Sequence, residues 1–239
     1  MENRLKKEYC LQKHINMEKE KQILNLLKDK SSIKQKVYQK TKEVLLMIQR
    51  CLKSKALRLN GKMREIDENV EVVYSSKGKF EAQFKFSGDT LLFNMHSNVF
   101  DFPDSHSIHK NKYVKEDRTR VYCGIIHIYN FLSDSLKYNR LNDEGYLIAR
   151  VFVNKDNHFF VEGEKQLGFL FDDFVSQEIN TKQVEKIIDE TILFALNFDI
   201  HTPNISEVRV ASVQQILELS SNQKIKTAKR LGYQFSNEE

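Results

Sequence analysis

Phe80-Glu81-Ala82-Gln83-Phe84-Lys85-Phe86-Ser87-Gly88-Asp89-Thr90 is the stretch on which the fold turns. Phe80, Ala82, Phe84 and Phe86 alternate with Glu81, Gln83 and Lys85, the period-two pattern of a strand buried on one face. Ser87-Gly88-Asp89 then turns the chain into a second apolar strand over residues 90–96. So short a connection joins only antiparallel neighbours. Upstream, Val70, Val72 and Tyr74 predict an earlier strand, closed by the turn Ser75-Ser76-Lys77-Gly78. Residues 68–96 are therefore expected to form an antiparallel meander.

Downstream, residues 97–118 are polar and irregular. Val121–Tyr138 fits two patterns, because Ile125-Ile126-His127-Ile128 suits a buried strand while Ile125, Ile128, Tyr129, Leu132 and Leu136 share one helical face. The length of the pattern favours helix, since most strands are shorter. Asn154-Lys155-Asp156-Asn157 joins the apolar runs Tyr146–Val153 and His158–Glu162, a hairpin signal. Thr181–Phe198 has the spacing of an amphipathic helix, and residues 212–219 and 223–231 are shorter candidates. The expected class is α+β: a long basic N-terminal helical arm (1–66), then one domain (67–239). In that domain a meander and hairpin form one sheet, with C-terminal helices on one face.

The arm differs in charge from the rest. Residues 1–66 hold 18 Lys and Arg against 7 Asp and Glu, whereas residues 67–239 hold 20 against 26. No Pro lies in the arm and its first Gly is Gly61. Ile33, Val37, Leu45, Ile48, Leu52, Ala56 and Leu59 follow helical spacing, with Ser31-Ser32 as a start or break and Asn60-Gly61 as a stop. Lys36, Lys40, Lys42, Arg50, Lys53 and Arg58 fall mainly on the opposite side, while Lys34 and Lys55 flank or interrupt the stripe. So regular a stripe is expected to pack on something, in part on a second copy, which makes a homo-oligomer the expected state. The cationic side stays available for the phosphates of a nucleic acid or for an acidic protein.

Two further constellations carry chemistry. His96, Asp101, His106 and His109 are imidazole and carboxylate donors in one short segment, a candidate divalent-metal site for a metal-dependent hydrolase. Tyr129, Asn130, Asp134, Lys137 and Arg140 are dense in groups that recognise partners, and are expected to line a groove over the sheet. Residues 212–233 loosely resemble the outline of helix-turn-helix DNA readers, without the usual Gly in the turn.

Nucleophile-elbow, phosphate-loop and dinucleotide fingerprints are missing from the sequence. No apolar run approaches the roughly 20 residues of a membrane span, and the N-terminus has no apolar signal core. Cys10, Cys51 and Cys123 are widely spaced and expected to be reduced packing thiols of a cytoplasmic protein. Together these features predict a non-enzymatic cytoplasmic binding protein, with metal-dependent hydrolysis as the alternative.

Overall fold

The computed structural model describes residues 16–198, 209–210 and 212–214. Six strands form one sheet in sequential order: β1 (Val72–Ser75), β2 (Glu81–Phe86), β3 (Asp89–Phe100), β4 (Cys123–Leu132), β5 (Tyr146–Asn154) and β6 (Phe159–Gly163). Every neighbouring pair is antiparallel. Phe86 pairs with Asp89, which leaves Ser87-Gly88 as a two-residue turn. Alternation in β2 places Ala82, Phe84 and Phe86 in the core, as the sequence predicts. The expected hairpin at residues 154–157 joins β5 to β6.

A helix runs without a break from residue 16 to residue 66. It widens to a π turn at Leu27–Ser31 and continues as α1 (Ser32–Ile66). Val37, Val44, Leu45, Ile48, Leu52 and Ala56 of α1 are buried, most of them in one cluster with Phe84, Phe93, Ile126 and Val151 of the sheet. The apolar stripe is thus satisfied within the chain, which removes the physical reason for packing it on a second copy. Side chains of residues 16–32 are all exposed, including Met17, Ile23, Leu24, Leu26 and Leu27.

The two expected boundaries of this helix are not boundaries. Ser32 lies inside the helix and returns its Oγ to the Leu27 carbonyl (3.3 Å). Asn60 does not cap a terminus, because its Oδ1 accepts from Val72 N (3.0 Å) and ties the helix to β1. Half-buried Leu59 and Met63 pack the last turns on the core and override the helix-stopping tendency of Gly61. A second helix, α2 (Thr181–Leu196), lies beside α1 with Val184, Ile187, Ile188 and Ile192 buried, and Asn180 Oδ1 caps it by accepting from Gln183 N.

Val121–Tyr138 is mainly strand, not helix. β4 supplies ten residues, followed by a single helical turn, Ser133–Lys137. Ile126 and Ile128 enter the main core, whereas Cys123 and Ile125 enter a second cluster with Phe152, Phe160 and Phe174. A strand buried on both faces is apolar at adjacent positions, and its excess of apolar residues also satisfies a helical template. The irregular segment contributes Ile108 and Val114 to the second cluster from short helical turns, and the turn Arg118–Val121 that follows adds Val121. The expected helices at residues 212–219 and 223–231 fall almost wholly outside the described residues.

Gly124 is required by contact. A Cβ built there would overlap the Thr41 side chain of α1, so the helix and β4 approach too closely for any other residue. Thr41 Oγ1 is itself turned back to the Val37 carbonyl (2.8 Å). Gly124→Val should therefore cost about 1–3 kcal/mol by overpacking, with part recovered on adding Thr41→Ala. Leu52→Ala, which empties the middle of the stripe, should cost about 2–5 kcal/mol. Urea denaturation of the three variants checks all of these values.

Candidate binding surfaces

α1 sorts its cations by their angle around the helix. Lys34 and Lys55, which border the stripe, are taken up internally. Lys34 Nζ lies 5.1 Å from the centre of the Tyr122 ring. Lys55 is buried and its Nζ is paired with Asp189 of α2. On the solvent side Lys36, Arg50, Lys53 and Arg58 are exposed, while Lys40 and Lys42 are half-buried. Lys40 bonds Glu43 (3.2 Å). At 1.5 Å per residue, Lys36 and Arg58 are about 33 Å apart along the axis.

The sheet face opposite α1 is only partly covered. Its far end lies under the second apolar cluster, and a polar network pins that cover to the β5–β6 hairpin. Fully buried Asn154 donates to Tyr113 Oη (3.1 Å), and its Oδ1 accepts from the amides of Asp156 and His158. The Tyr113 ring stacks on His158 (4.5 Å), and the Arg120 guanidinium lies over it (4.1 Å). Arg120 in turn donates to Asp156 and to the Tyr113 carbonyl. Burial pushes the Tyr113 hydroxyl above its ordinary pKa.

The near end of that face is open. Residues Glu81, Asn94, His127, Arg150 and Glu162 lie in one cross-strand row, and Gln83, Leu92 and Tyr129 in the next. Burial, aided by the charges of His96 and Arg150, pulls the His127 imidazole below its ordinary pKa. The short helical turn after β4 stands beside this face, held by the Thr90–Ser133 hydroxyl pair (2.8 Å) and by Ser133 N donating to the Gly88 carbonyl (2.7 Å). A cleft of about 550 Å³ results, lined in part by Lys85, Thr90, Asp134, Lys137 and Arg140.

Of the five residues expected on a partner groove, Asp134, Lys137 and Arg140 do line this cleft. Tyr129 lies further along the same face, between His127 and Phe131. Asn130 does not belong to it. As a strand residue it points to the helix-covered side, is 1 % exposed, and its Oδ1 has no hydrogen-bond partner among the described residues.

The His/Asp segment is not brought together around one point. His96 Nδ1 accepts from Asn98 N, and its ring packs on Phe100. Asp101 accepts from Phe102 N, and His106 Nδ1 from Ile108 N. His109 Nε2 meets the Phe102 carbonyl (3.1 Å). Among the described residues no group of three or more His, Cys, Asp or Glu is placed to hold a metal ion. These side chains stabilise local turns instead.

Cys51 and Cys123 are free and buried, and burial pushes both thiols up, which suits packing rather than nucleophilic chemistry. Cys10 and the helix-turn-helix outline lie outside the described residues, apart from residues 212–214. No described helix is long and apolar enough to cross a membrane.

A groove that sequence reasoning missed lies between α1 and β1. It has a volume of about 450 Å³ and is lined by Lys53, Leu57, Asn60 and Arg64 from the helix and by Val72–Tyr74 from the strand. The signal was present in the helical spacing of Lys53, Leu57, Asn60 and Arg64, but only the tertiary fold sets β1 alongside them. The sequence matches no protein-family model, no curated protein and no solved structure.

One ionic contact of the pinned cover is open to a direct test. Burial opposes the charge of Asp117, but hydrogen bonds from Lys155 Nζ and from the Thr119 hydroxyl and amide outweigh it and hold the carboxyl down at about 2. A carboxylate lowered in the folded state stabilises it above its unfolded pKa of about 3.9, and that stabilisation is lost as pH falls through the folded value. Asp117→Asn should therefore lower thermal stability by a constant amount from pH 7 to about 5, with the gap closing as pH falls from about 4 toward 2. Melting curves of both proteins across this range provide the check.

Proposed function

We propose that this protein is a non-enzymatic binding protein whose cationic α1 surface engages a nucleic acid. One observation carries the reading: the apolar side of α1 is locked onto its own sheet while Lys36, Arg50, Lys53 and Arg58 face solvent. The helix is thereby a rigid support, and its free side presents cations along most of its length. Glu43 and Glu65 are the only acids within α1. Rows of Lys and Arg bind phosphates by releasing condensed counterions, and such contacts position a nucleic acid without reading its sequence. The same surface favours any polyanion, so the salt dependence and the residues responsible are the features to measure.

Fluorescence anisotropy with labelled single-stranded RNA and duplex DNA, at increasing salt, tests the proposal. Duplex affinity should fall with a log–log slope of about −3.5 to −4.5, as expected when four or five cations each neutralise a phosphate. The triple variant Lys36→Glu, Arg50→Glu and Arg58→Glu should bind at least about tenfold more weakly at low salt while melting as the wild type does. Unchanged affinity in that variant, or binding indifferent to salt, would remove nucleic acid from this surface.

A further inference from the structure

We infer that the groove between α1 and β1 takes an acidic, extended peptide of a partner protein as an added strand. This goes beyond the nucleic-acid reading and rests on different observations, with Lys53 the only residue common to both.

The sheet has two edges, and they are not equivalent. β6 is covered by the segment that follows it: Phe159 N donates to the Gln177 carbonyl (3.1 Å) and Val161 N to the Phe171 carbonyl (2.8 Å). β1, at the other edge, has no strand beside it among the described residues. Val72 N donates to Asn60 Oδ1 of α1, so the Val72 amide points away from β2. By the period-two alternation of a strand, the N–H and C=O of Tyr74 point the same way. Tyr74 thus presents one donor and one acceptor toward the groove, and the Val72 carbonyl a second acceptor.

The helical wall suits a strand lying against it. Leu57 is 72 % exposed on the helical wall, an apolar side chain free to meet an inserted strand, whereas Val73 alternates with core-facing Val72 and Tyr74 and turns to the other face of the sheet. A Cβ built on Gly61 would meet nothing within 4 Å, so the wall is open there. Strand addition uses main-chain hydrogen bonds for affinity and alternate side chains for selectivity. Charge decides the occupant: among the described residues the lining contains the cations Lys53 and Arg64 and no carboxylate. A second copy pairing through its own β1 would bring the same cations together, whereas Glu or Asp side chains of a peptide would neutralise them.

The test uses the full-length chain and a fluorescein-labelled, end-capped peptide of alternating Glu and Val, with a Lys–Val peptide as control. Anisotropy at low salt should show saturable binding of the acidic peptide and none of the basic one. Leu57→Asp and Arg64→Glu, both at exposed positions, should each weaken binding by about tenfold or more without changing the melting temperature. Amide hydrogen exchange at Tyr74 should slow in the complex, which side-chain attraction alone would not produce. Equal binding of both peptides, full affinity in both variants, or unaltered exchange at Tyr74 would each overturn the inference. So would a dimer in light scattering that Leu57→Asp dissolves, which assigns the edge to a second copy. The Lys36/Arg50/Arg58 reversal leaves the groove lining intact, so loss of oligonucleotide binding with retained peptide binding separates this inference from the nucleic-acid proposal.

Discussion

The close seat of α1 on the sheet, through the contact of Thr41 with Gly124, governs the rest of the molecule. Without a Cβ at Gly124 the helix comes down onto β4, and Val44, Leu45, Ile48 and Leu52 reach the aromatic layer of Phe84 and Phe93. Dense packing of this kind contributes dispersion as well as transfer free energy, so the helix is part of the core rather than an appendage to it. Its orientation about its own axis follows from that contact. Which cations face solvent and which face the protein is then settled by the remaining angles.

The same contact sets the electrostatics. Of the basic residues bordering the stripe, Lys55 is neutralised by Asp189 and Lys34 is placed over an aromatic ring. These two cations of α1 are therefore not offered to a partner. What α1 presents outside is Lys36, Arg50, Lys53, Arg58, Lys62 and Arg64, with Leu46 and Leu57 exposed among them. Long-range attraction from such a surface is screened beyond about 8 Å at physiological salt, so contacts must be close to matter. On the opposite face, the polar network of Asn154, Tyr113 and Arg120 is fully engaged in holding the second apolar cluster in place. Chemistry-bearing residue types are used there for cohesion.

How far the fold could be read in advance depended on burial. Strands β2 and β3 and the last hairpin are half-buried or turn-bounded, so period two and the turn residues identify them. β4 is buried on both faces, and Ile125-Ile126 then carries no phase to separate strand from helix. Asn60-Gly61 misleads for another reason: the Asn side chain that would end a helix is used to hold β1. The side chains of the His/Asp segment are not gathered around one point among the described residues; each meets a nearby backbone group instead. Asp134, Lys137 and Arg140 do share a cleft, although the helix expected to bring them together is a single turn after a strand.

Local order was therefore determined by the sequence alone: the alternating strands, their two-residue turn, the amphipathic helices and the segregation of charge into the first 66 residues. These follow from near-neighbour sterics and from the periodicity of apolar residues, both of which are properties of short segments. Only the tertiary structure decided that α1 buries its stripe on its own sheet, that Asn130 and Tyr129 face opposite sides, and that Arg64 and Leu57 stand beside an open strand edge. Those relations join residues distant in sequence, and they depend on which apolar surfaces fit each other closely enough to exclude water.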